Sequence, residues 1–169
     1  MRLRNVISVL YGAPLSDEPD HLSDVYDDLA QDALCALGTL VRSCGYHLCC
    51  PDDQNVRQVL LYLEFPLRRT HFFDIDRVPM YAPDLASIVL IGGGKKLSED
   101  AHRFIEGASL SRLWPIGSTG GAAADILSSE SFFTRMSAWE QHVFIERSYG
   151  SDYDALFRDL FLQLKTVAC

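Results

Sequence analysis

An open parallel α/β sheet with helices on its faces, built as a single domain over residues 1–169, is the fold class this sequence predicts. Three observations carry the prediction. Apolar strand-like runs alternate with apolar stripes of helical spacing from Val6 onward. Two of those runs, Ile88-Val89-Leu90-Ile91 and Leu113-Trp114-Pro115-Ile116, break directly into glycine and then into helix-like segments. The 169 residues, with 48% hydrophobic content and a mean hydropathy of +0.03, suit one continuous core.

In chain order, Val6 to Tyr11 reads as a buried first strand ending at Gly12-Ala13-Pro14, and Ser16 offers a hydroxyl just beyond. Leu22, Val25, Tyr26, Leu29, Ala33, Leu37 and Leu40 then form a helical stripe, which Gly45 stops. Tyr46 to Cys50 is a second strand and Pro51-Asp52-Asp53 the turn after it. Val56, Val59, Leu60 and Leu63 mark a second helix ended by Pro66. Strand, helix, strand, helix implies right-handed crossovers in a parallel sheet.

His71 to Ile75 is a short strand, and Pro79 and Pro83 confine the next stretch to turns or a brief helix. Arg68, Arg69 and Arg77 sit in this part of the chain and are candidate phosphate ligands, since a guanidinium can grip two oxygens at once. Helices are expected over Ser98 to Ala108, with Ala101, Phe104, Ile105 and Ala108 inward, and over Ala122 to Leu127. Phe132, Phe133, Met136 and Trp139 supply bulky apolar surface, and Val143 to Ile145 fits a short strand or part of a helix. A final helix capped by Ser151 carries Tyr153, Leu156, Phe157, Leu160, Phe161 and Leu164 as a core-facing stripe.

The net charge of −8 disfavours nucleic acid, whose binding needs a basic surface. The charge is uneven: seven carboxylates and no Lys or Arg lie between Asp17 and Asp32, whereas Arg42 to Arg112 holds nine basic residues. No apolar run is long enough to span a membrane and no signal-peptide pattern opens the chain, so a cytoplasmic protein is expected. Five cysteines without paired spacing fit that compartment. Cys49 and Cys50, adjacent on a strand, point to opposite faces, and the five histidines show no ligand pair, so no metal is expected.

The glycine turns are the candidate site. Gly92-Gly93-Gly94-Lys95-Lys96 and Gly117-Ser118-Thr119-Gly120-Gly121 each succeed a strand, with Gly12 and Ala13 as a third wall. Glycine lets the backbone approach a phosphate and aim successive amides at it, and the helix beyond adds its dipole. Neither turn has the spacing of a P-loop or of the dinucleotide G-x-G-x-x-G.

The strand ending in Gly92-Gly93, and above all Pro115-Ile116-Gly117-Ser118-Thr119-Gly120-Gly121-Ala122-Ala123, resembles the SLOG superfamily, named for its Smf/DprA and LOG members. The resemblance runs from the Val6 strand to about Leu127. It is nearest to the sensor modules that accompany TIR or sirtuin-like effectors in bacterial antiphage systems, including the NAD-degrading Thoeris effector. It implies a Rossmann-like fold, a pocket for ADP-ribose-type nucleotides with cyclic signals among them, no cofactor beyond that ligand, an effector in the same or another chain, and self-association into a homo-oligomer.

The LOG phosphoribohydrolases supply the alternative, hydrolysis of an N-glycosidic bond. Their motif Pro-Gly-Gly-x-Gly-Thr-x-x-Glu is matched here by Gly92, Gly93 and Glu99, while Ile91, Lys95 and Lys96 replace the Pro, the third Gly and the Thr. Glu99 is thus the one candidate catalytic residue, and a Glu in a helix's first turn also has a structural use. Glu99 and Asp125 are carboxylates for ribose hydroxyls. A DprA-like DNA scaffold is the third reading, opposed by the acidity.

Overall fold

Val6–Gly12 form the central strand, β1, whose side chains from Val6 to Tyr11 are buried. A strand inside a parallel sheet is covered on both faces, which is why this run is nearly all apolar. The computed structural model of the chain describes residues 6–12, 20–74, 85–107, 113–134 and 136–167. Its other strands are β2 (His47–Pro51), β3 (Thr70–Phe73), β4 (Leu85–Gly92) and β5 (Leu113–Ile116). They line up in the order β3-β2-β1-β4-β5, every pair parallel. The fold is Rossmann-like.

Helix α1 (Asp20–Ser43) buries Ala30, Ala33, Leu34, Leu37 and Val41, a face rotated from the expected stripe, so that Val25 faces solvent. Gly45, at φ +76°, ends it: the Gly45 amide bonds the Arg42 carbonyl and the Tyr46 amide the Val41 carbonyl. Helix α2 (Gln54–Tyr62) is capped by Asp53, which accepts from the Asn55 and Val56 amides. It stops at Tyr62, before Pro66, because Glu64 takes a left-handed conformation at φ +50°.

Helix α3 (Lys95–Gly107) begins three residues earlier than expected, with the Ser98 amide bonding the Gly94 carbonyl at 3.1 Å. Helix α4 (Gly121–Leu127) buries Ala122, Ala123, Ile126 and Leu127. The final helix, Tyr153–Val167, packs with α2 beside α1, and α3 packs on α4. With right-handed crossovers, the strand pairs on either side of β1 place α1 and α3 on opposite faces of the sheet.

Beyond α4, Glu130–Phe133 form the short helix α5, and Val143 and Phe144 belong to a π-helical turn, Glu140–Phe144, that runs into α6 (Ile145–Ser148). The helical alternative therefore holds for this stretch. Phe132, Met136 and Phe144 are buried and Trp139 stacks on Phe144, whereas Phe133 is exposed. In the final helix, α7 (Tyr153–Val167), the stripe Tyr153, Leu156, Phe157, Leu160 and Phe161 is core. Its cap is Asp152 rather than Ser151, since the Asp152 carboxylate accepts from the Ala155 amide at 3.2 Å. Among the described residues, no helix is long and apolar enough to cross a membrane.

Candidate functional site

The strand order reverses between β1 and β4: from β1 the chain moves outward through β2 to β3, then returns to the other side of β1. In an open α/β sheet the crevice outside the carboxyl ends at that switch point is where ligands bind. Gly12 ends β1, Gly92 ends β4, and the Gly117–Thr119 turn comes directly after β5. The topology thus assembles all three glycine segments at one edge.

Much of the backbone there ties the turns to one another. The Gly93 amide donates to the Gly12 carbonyl at 3.0 Å and the Ala122 amide to the Gly93 carbonyl at 2.8 Å. Thr119, fully buried, accepts from the Gly92 amide at 2.7 Å and donates to the Ile116 carbonyl at 2.6 Å. Gly121 is required by this packing: at φ +54°, a Cβ would collide with the Gly93 carbonyl oxygen. Gly120, at φ +68°, lies under the ring of Tyr26, 2.9 Å from where its Cβ would be. Ser118 turns its hydroxyl to the Tyr153 phenol at 2.8 Å. Burial raises that phenol, the Ser118 bond draws it down, and Asp32 adds to the rise.

The start of α3 differs. The amides of Lys95, Lys96 and Leu97 precede the first intrahelical bond, and the Gly94 amide donates to no carbonyl among the described residues. The first turn contains no acidic residue, and its first two positions are lysines, both exposed. A cation at a helix N-terminus opposes the dipole by about 0.3–1 kcal/mol. The arrangement is therefore electrostatically suited to an anion. Lys95 has no ion-pair partner among the described residues.

Other expected residues lie elsewhere. Arg68 and Arg69 precede β3, and in a parallel sheet that is the amino edge, opposite the glycine turns; Arg69 donates to the Arg42 carbonyl and sits over the Phe65 ring. They cannot serve the crevice. Glu99 is exposed in the second turn of α3, so the dipole explanation, which needs the first turn, does not apply. Asp125 accepts from the Ser98 hydroxyl and pairs with His102 at 3.5 Å, a tie between α3 and α4. Ala13, Ser16 and Arg77 lie outside the described residues.

The sequence reading missed the carboxyl edge beside β2. Tyr11 at the end of β1 carries a phenol raised by burial and then by Asp53 and Asp27, with a hydrogen bond from Asn55 opposing the rise. Asp27 is itself raised by partial burial and by Asp24 and Asp28. Asp53 comes just after β2, where nucleotide-binding sheets place a carboxylate for ribose hydroxyls. The legible signal was that place beyond the second strand. Cationic and anionic walls thus share the carboxyl edge at the switch point.

Two further placements bear on the expectations. Cys50 is buried with its thiol pushed up to about 12 by burial, while Cys49 on the opposite face is half-buried. The histidines do form a pair: His47 Nδ1 lies 3.1 Å from His71 Nε2 across β2 and β3. A groove of about 250 Å³ lined by Gln31, Cys35, Asn55, Gln58, Val59 and Tyr62 lies between α1 and α2, outside the glycine turns and without a cationic side chain. No protein-family model, curated protein or solved structure matches the chain.

Proposed function

We propose that this chain is a sensor domain that binds an ADP-ribose-type nucleotide, cyclic forms included, and switches an associated effector in bacterial antiphage defence, acting as part of a homo-oligomer. The observation that supports the binding reading most is the dipole-opposing lysine start of α3 at the switch point, beside the Gly12 and Gly92–Gly94 turns. The diphosphate lies against the Gly94 to Leu97 amides with Lys95 over it. The ribose hydroxyls lie toward Asp53. The antiphage setting and the effector rest on the likeness of the 115–123 segment to SLOG sensor modules.

The test is a thermal-shift series with ADP-ribose, its cyclic forms, NAD and AMP, each mixture analysed afterwards for breakdown products. A ligand that raises the melting temperature and is recovered intact supports a sensor. Release of a free base, abolished in Glu99→Gln, replaces this reading by N-glycosidic hydrolysis. No stabilisation by any of them removes the nucleotide reading.

A further inference from the structure

At the opposite side of the sheet, β3 is a four-residue edge strand held to β2. The register pairs Cys49 with His71, and strand alternation puts His47 on the same face as Cys49. The two imidazoles therefore share one face. Their planes differ by 15°, their centroids are 5.3 Å apart, and His47 Nδ1 is 3.1 Å from His71 Nε2. With the nitrogens so much closer than the centroids, the rings meet edge to edge. One ring must donate its N–H and the other must offer a lone pair.

A metal ion can take the place of that shared proton. Imidazole nitrogens bind divalent zinc at about 2.0–2.1 Å, so two nitrogens on one ion are about 2.9 Å apart at a right angle and about 3.3 Å apart at a tetrahedral angle. The observed separation falls between these values, so the strands already hold the rings at the required span and only side-chain torsions must turn.

We propose that His47 and His71 bind one divalent transition-metal ion that clips the edge strand β3 to β2. Neutral imidazole pairs favour copper, nickel and zinc over magnesium or calcium. Among the described residues no group of three His, Cys, Asp or Glu side chains is placed to hold a metal. Two imidazoles and water complete the site. It is independent of the nucleotide reading.

The experiment is calorimetric titration of the full chain with nickel chloride and zinc chloride, repeated on His47→Ala and His71→Asn, with near-UV circular dichroism to verify folding. One equivalent is expected to bind the parent chain, with affinity falling at least about tenfold in each variant. Saturating metal is expected to raise the melting temperature of the parent and of neither variant. No binding by the parent, or binding unaffected in either folded variant, overturns the proposal.

Discussion

The two glycine turns look alike in sequence and are used differently. The turn after β5 is bonded into the surrounding fold: Thr119 bonds Gly92 and Ile116, Ser118 bonds Tyr153, and Tyr26 covers Gly120. The turn after β4 opens into α3 with first-turn amides that precede any intrahelical bond and with two lysines. One has its hydroxyls bonded within the fold, and the other leads into a helix start with the charge that suits the proposed anion. A glycine cluster after a strand therefore does not by itself locate the ligand; what its amides already bond decides.

The strongest way to break this contrast is Gly121→Val. The new side chain collides with the Gly93 carbonyl at a left-handed backbone, and a loss of about 3 kcal/mol or more is expected in urea denaturation. A value below about 1 kcal/mol would mean the two turns are not braced together. Gly120→Asp would strain the same framework, so loss of ligand there would not separate binding from folding.

Thr119→Val leaves the buried Gly92 amide without an acceptor, at a cost of about 1–3 kcal/mol, and Thr119→Ser is expected to restore most of it. Equal stability of the Val and Ser variants would remove Thr119 from the framework.

Lys95→Glu sharpens the comparison by its sign. The unliganded domain is expected to gain about 0.3–1 kcal/mol, because a carboxylate suits the helix start, while nucleotide affinity falls at least about tenfold. A variant that loses stability and keeps affinity would place the receptor elsewhere.

The smallest effect concerns pH. The Tyr153 phenol is raised above its ordinary value of 10.0, chiefly by burial. Its contribution to stability is thus complete below the unfolded value and is lost as pH rises through the higher folded one. Comparing stability at about pH 9 and about pH 11, Tyr153→Phe is expected to fall less steeply than the parent. Parallel profiles would show that burial does not hold the Tyr153 phenol above its ordinary value in the folded domain.

Much of the fold was legible because the central strands β1 and β4 are nearly continuous apolar runs and the long helices repeat apolar residues every third or fourth position. The boundaries were less so. Lys95 reads as loop, yet it is helical because Gly94 accepts the first intrahelical bond. Ser151 reads as a cap, yet the neighbouring Asp152 is the acceptor that reaches an amide.

By itself the sequence determined the α/β alternation, the parallel sheet and the glycine character of its carboxyl edge, all of which arise from local pattern. Only the tertiary structure decided that Arg68 and Arg69 belong to the amino edge, that Asp53 stands at the same edge as the glycine turns, and that His47 meets His71. Strand order and register bring together residues far apart in the chain, and no spacing along it encodes which edge or face they reach.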